Sequence, residues 1–277
     1  MIDYFQLLLL GAVAGFTIFL GIPFALVPAR KQTKNFLNSL AVGILIFLLF
    51  DVLEHAWASI EDTLTQALSM NASPIPGITL LLTMFFGIAI SLIGLSIYQD
   101  RFMTRNSSVD FINEFTNQTS KKTNEVVPKK LALMIAIGIG VHNLSEGLAI
   151  GQSFATGEIS LALMLIIGFG AHNATEGFGI VGPLASDEEK PSLLYLFELG
   201  LIGGGPTFLG TILGSFWVSD IAYVLFLSLA AGALIFVILL MSNTNSKQIK
   251  LPLKMTGIFI GLMAGFLTDL IISLAGA

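Results

Sequence analysis

The sequence contains no cysteine, so disulfides and thiolate metal sites are both excluded, and any metal must be held by nitrogen and oxygen ligands. It is also poor in charge. Only 11% of its 277 residues are Asp, Glu, Lys or Arg, against 55% hydrophobic, and the mean hydropathy is +0.87. That balance excludes an ordinary soluble globular domain and points to a polytopic membrane protein. The short alternating segments of a membrane β-barrel are missing. No GxxxxGK[ST] loop occurs, which argues against ATP as an energy source within this chain, and no HExxH sequence marks a zinc protease.

What the chain has instead is long apolar runs. Windows at roughly 4–28, 36–58, 75–98, 129–153, 159–184, 191–214, 219–242 and 251–275 each exceed the ~20 residues needed to cross a hydrocarbon core of ~30 Å. The expected fold is therefore all-α, a polytopic membrane protein of eight transmembrane helices. The amino-terminal MIDYFQLLLL carries an acid where a signal peptide carries basic residues, and its apolar run is too long for a signal core, so it is expected to stay as the first span.

All thirteen basic residues fall in alternate loops. Arg30, Lys31 and Lys34 lie in the first, Arg101, Arg105, Lys121, Lys122, Lys129 and Lys130 in the third, Lys190 in the fifth, and Lys247, Lys250 and Lys254 in the seventh. By the positive-inside rule the odd loops are cytoplasmic, which places both termini outside a cell membrane. The chain reads as one transmembrane domain, 1–277. Its polar connection 99–128 is expected to be a mobile cytoplasmic loop, which leaves three spans, a central pair and three more spans. Such a 3+2+3 arrangement suits an inverted repeat. Gly138, Gly140, Gly147, Gly151, Gly168, Gly170, Gly177, Gly179 and Gly182 should let the two central helices approach closely. Gly203, Gly204 and Gly205 before Pro206 predict a kink or unwound turn in the sixth span.

The central pair carries the chemistry. GVHNLSEGLAIG at 140–151 and GAHNATEGFGIVG at 170–182 place His, Asn and Glu twice, in one order and spacing, where a charged group costs several kcal/mol. At 100° per residue, with His142 at 0°, Asn143 lies at 100° and Glu146 at about 40°, between them and one turn along. His172, Asn173 and Glu176 repeat the pattern. If the two faces meet, two imidazoles, two carboxylates and two amide oxygens converge, the outline of a divalent-cation site. Two carboxylates brought together without a cation repel one another. Imidazole with carboxylate suits zinc, iron, manganese, cobalt or nickel, and the lack of sulfur disfavours a copper(I) specialist. The Asn pair extends the site towards a second metal with Glu146 and Glu176 as bridges. A lone intramembrane polar group often only hydrogen-bonds across a helix interface; a duplicated six-residue pattern containing an acid argues for more.

The third histidine lies in DVLEHAW at 51–57. Asp51 and His55 share a helix face and Glu54 is one turn from Asp51, which fits either a place where ions enter the pathway or an interfacial polar cluster beside Trp57. Glu198 and Asp269 lie within apparent spans and are weaker candidates for a pathway. The Asp187, Glu188 and Glu189 run reads first as a solvated charge cluster.

HNLSEG and HNATEG on consecutive helices resemble the signature helices of the Zrt/Irt-like (ZIP) metal transporters. Eight spans, outside termini, a long loop after the third span and the AVGILIFLLFDVLEHA stretch fit that family as well. The resemblance implies a binuclear centre, one site drawn from His142, Glu146, His172 and Glu176 and the other from Asn143, Glu146, Asn173 and Glu176. It also implies carriage of divalent metals, chiefly zinc and iron, towards the cytoplasm, a homodimer, and a transport bundle that slides against a scaffold. The sequence departs from the family at Ser145 and Thr175, where a proline often precedes the motif Glu, and at Gly205, where many members carry a glutamate. The acid often found late in the seventh span is absent from AAGALIFVILLMSN.

The expected function is transport of a divalent transition metal into the cytoplasm, zinc first, with iron, manganese, cobalt and cadmium as further cargo. The expected partners are metal ions and the bilayer, not nucleic acid, and no catalytic cofactor or enzyme activity is expected. The alternatives are an intramembrane zinc hydrolase, with His142, His172 and His55 holding zinc while a Glu activates water, and a metal sensor. A hydrolase needs an open coordination position and a substrate cleft, whereas paired bridging carboxylates suit binding and release.

Overall fold

The computed structural model describes all residues except 1–3, 28–30, 71, 100, 102–127, 156–172, 187–189, 217–218, 245–249 and 275–277. The described residues contain no strand. The long helices are α1 (Tyr4–Phe16), α2 (Lys31–Ser69), α3 (Ile75–Tyr98), α4 (Pro128–Ala155), α6 (Leu193–Gly214), α7 (Asp220–Thr244) and α8 (Leu251–Leu274), with a shorter α5 at 173–181. Among the described residues, 7 helical segments are long and apolar enough to cross a membrane, so the chain is a helical polytopic membrane protein by length and composition. Of the fifth predicted span, 159–184, only the part from 173 onward is described, and the connection 99–128 lies almost wholly outside the described residues.

Three expectations about the spans change. The first span is α-helical only to Phe16 and continues as two tighter 3-10 turns, Thr17–Leu20 and Ile22–Leu26, the second with a proline in its first turn. The second span does not end near Trp57: α2 runs for 39 residues, about 58 Å. The acids at Asp51, Glu54, Glu61 and Asp62 lower the hydropathy, but no glycine or proline between 44 and 69 interrupts the helix. The sixth span does not unwind, since α6 is continuous with Pro206 inside it. Proline removes the N–H that would bond to the Ile202 carbonyl. Tight packing on both sides holds the backbone in place: a Cβ built on Gly140 would lie 2.3 Å from that carbonyl oxygen, and one on Gly204 would lie 2.1 Å from the Gly15 carbonyl oxygen.

Among the described residues, the closest approaches at glycines of the two central helices are to other neighbours. On α4, a Cβ at Gly147 would lie 2.2 Å from the Thr207 carbonyl oxygen and one at Gly151 would lie 2.2 Å from that of Thr211, so α4 packs backbone to backbone, in parallel, on α6. On α5, a Cβ at Gly177 would lie 2.1 Å from the Ile18 carbonyl oxygen, which seats α5 on the 3-10 part of the first span. Small residues permit such contact without saying which neighbour will use it. A second set of close contacts joins α2 to α8 at Gly43 and Gly261, and α3 to α7 at Gly232.

The apolar core lies between α2, α4, α5, α6 and α7, where Leu45, Leu48, Ile135, Ile139, Ile180 and Leu199 are fully buried. By contrast α3 and α8 present Phe85, Phe86, Ile90, Phe259 and Leu267 outward, as lipid-facing helices should. Buried Lys254 donates from Nζ to the Ser242 carbonyl at 2.7 Å and so ties the start of α8 to the end of α7.

Candidate metal centre

His142 and Glu146 are one turn apart on α4, so their side chains share a face, and α5 sets Glu176 opposite them. The Nε2 atom of His142 lies 3.2 Å from Glu146 Oε1 and 3.6 Å from Glu176 Oε1. One ligand atom from each of the three residues falls within 4.8 Å of the others, and all three residues are buried. Ligands at 2.0–2.1 Å around a tetrahedral zinc stand about 3.3 Å apart. The two measured separations bracket that spacing.

The asparagines are fixed by their amide nitrogens. Asn143 Nδ2 donates to Glu176 Oε2 at 2.8 Å and to the Gly203 carbonyl of α6 at 3.0 Å. Asn173 Nδ2 donates to the Ala14 carbonyl of α1 at 2.8 Å. Each motif helix thus anchors its Asn on the neighbour against which its glycine packs. With the nitrogens committed, Asn143 Oδ1, Asn173 Oδ1 and Glu146 Oε2 are buried with no hydrogen-bond partner. A buried acceptor left unpaired costs about 1–3 kcal/mol, and a cation would supply what these oxygens lack. They belong to the second ligand set that the sequence predicts.

Between residues 131 and 189, which include both motif stretches, the sequence has no Lys or Arg. His172 lies outside the described residues, so of the six predicted ligands the structure places five. A Cβ built at Gly205 would meet only the Leu201 side chain among the described residues, at 3.5 Å.

The Asp51, Glu54 and His55 group is not a closed metal cluster. His55 Nδ1 donates to the Asp51 backbone carbonyl at 2.9 Å and lies 3.6 Å from the Asp51 carboxylate, while His55 and Glu54 are exposed. Asp51 and His55 nevertheless lie within electrostatic reach of Glu146, and Asp51 within reach of Glu176. On the other side, Asp269 of α8 is within reach of Asp51, Glu54 and His55. Tyr223 of α7, which also lies within reach of Asp51 and Glu146, was not apparent from sequence. Its only signal was scarcity, one of 4 tyrosines and inside an apolar run. The buried hydroxyls of Ser145 and Thr207, with no hydrogen-bond partner, were likewise not singled out as polar groups of the core.

No family model matches the chain, and no curated protein matches it.

Proposed function

We propose that this chain is a ZIP-like transporter that carries divalent transition metals, zinc first, across a cell membrane into the cytoplasm. The observation that carries the proposal is the buried His142, Glu146 and Glu176 cluster, which sets an imidazole and two carboxylates at ligand spacing inside apolar helices. Iron(II), manganese, cobalt and cadmium are compatible with the same nitrogen and oxygen donors. In this reading eight spans form a 3+2+3 inverted repeat with both termini outside.

The helix pairings support the repeat. If α1, α2, α3 and α4 correspond to α6, α7, α8 and α5, the contact of α2 with α8 matches that of α7 with α3, and the contact of α4 with α6 matches that of α5 with α1. The nature of the contacts supports a moving bundle. Backbone meets backbone at glycine between α4 and α6, α6 and α1, and the 3-10 part of the first span and α5, which locks these four spans together. Between that group and the other four helices the glycine contacts are to side chains: Gly138 to Ala233, Gly182 to Ala41 and Gly179 to Leu45. Side-chain surfaces can slide where interlocked backbones cannot. Because His142 and Glu176 are buried, at 2% and 0% exposure, the cluster must be uncovered by such a movement for metal to pass.

Reconstituted into liposomes loaded with a metal-sensitive dye, the protein is expected to give saturable zinc influx, with iron(II), manganese, cobalt and cadmium ranked by the same assay. Stoichiometric zinc binding without flux of any of the five ions would replace the transporter with a sensor or hydrolase.

A further inference from the structure

A groove of about 610 Å³ opens between α4 on one side and α3 and α7 on the other. Its floor follows α4 from Lys130 through Ile137 to Val141, with Gly94 and Tyr98 of α3 and Ala233 of α7 along the walls. From Lys130 to Val141 the helix rises about 16 Å, half of a hydrocarbon core of about 30 Å. The groove is thus as deep as one leaflet. Its lining is apolar except at the mouth, where Lys130 and Tyr98 sit, and for Ser91 part-way along.

Lys130 is exposed and makes no ion pair with any described residue, unlike Lys254, which is spent on a carbonyl. At Gly94 the helix surface is left open, since a Cβ there would meet nothing within 4 Å. A cation at the headgroup level above a one-leaflet apolar slot is complementary to an anionic headgroup with an acyl chain beneath it. We infer that this groove binds an anionic phospholipid from the leaflet at the Lys130 end, with its phosphate on Lys130 and one acyl chain along α4 towards Val141. A zwitterionic lipid would fill the slot equally well but would gain less from the lysine. The inference concerns binding and stands whether or not the protein transports metal.

The full-length protein is extracted from bilayers containing both phosphatidylcholine and phosphatidylglycerol, and retained lipid is weighed by native mass spectrometry. One phosphatidylglycerol per chain is expected. Lys130→Ala should lower its occupancy roughly five-fold, the weight of one lysine near an anionic lipid. Gly94→Phe, which fills the slot without striking the backbone, should remove it, while Lys250→Ala, outside the groove, should leave it unchanged. Equal retention of the two lipids, no retained lipid, or phosphatidylglycerol retention that neither Lys130→Ala nor Gly94→Phe reduces would each overturn the assignment.

Discussion

Replacing Glu176 by glutamine should abolish metal uptake and weaken zinc binding by about 100-fold or more, while the protein stays folded. Loss of a partner that merely orients a ligand already costs 10–100-fold in metal affinity, so loss of a ligand charge sets a higher floor. The fold should survive because glutamine has the shape of glutamate and its carbonyl oxygen can still accept the Asn143 amide, now 2.8 Å from the carboxylate. The substitution also removes one of two buried carboxyl groups that repel when both are ionised. Binding and stability then separate cleanly. At zinc about 100 times the wild-type Kd, bound metal should stabilise the wild type by about 2.7 kcal/mol, whereas a variant weakened 100-fold should gain only about 0.4 kcal/mol. Thermal unfolding in detergent with and without zinc, together with calorimetric titration, would measure both. Glu54→Gln is the control, since that side chain is exposed and outside the cluster. Zinc stabilisation of Glu176→Gln equal to that of the wild type would remove Glu176 from the ligand set.

Much of this architecture was legible because a membrane makes hydropathy decisive: a run of about 20 apolar residues has few other places to go. The helical period placed His142 and Glu146 on one face, and repetition of the motif pointed to Glu176 as their partner. What hydropathy could not provide was the length of α2, because acids end an apolar window without ending a helix. Nor could it assign the glycines. A wheel shows that Gly147 lies on a given face, but whether α5 or α6 covers that face depends on the global arrangement. Pro206 pointed to a kink or an unwound turn, and the helix runs on through it without unwinding where α4 and α1 approach closely. The unpaired state of Asn143 Oδ1 and Asn173 Oδ1 also depended on three dimensions, because their nitrogens bond to carbonyls 60 and 159 residues away.

The second large effect should come from single methyl groups. Gly147→Ala and Gly177→Ala are each expected to destabilise the protein by about 1–3 kcal/mol or more, the usual cost of overpacking, and to impair metal binding at the same time. In both cases the new Cβ would fall 2.2 Å and 2.1 Å, respectively, from a backbone carbonyl oxygen of the neighbouring helix, and backbone cannot rotate away as a side chain can. The helices must separate, and the residue immediately before each glycine is one of the proposed ligands, Glu146 or Glu176. A shift that relieves the clash therefore moves a carboxylate relative to His142, where separations of 3.2 and 3.6 Å would leave little latitude for sharing one ion. Two alanine substitutions in other spans or faces test whether the effect is one of contact rather than of glycine content. At Gly179 the nearest atom to a new Cβ is a Leu45 methyl at 3.6 Å, and at Gly94 there is none within 4 Å. Gly179→Ala and Gly94→Ala should keep wild-type unfolding temperature and zinc affinity. If Gly147→Ala and Gly177→Ala match them in both measurements, the backbone-to-backbone seating of α4 on α6 and of α5 on the first span is wrong, and the coupling between packing and the metal cluster falls with it.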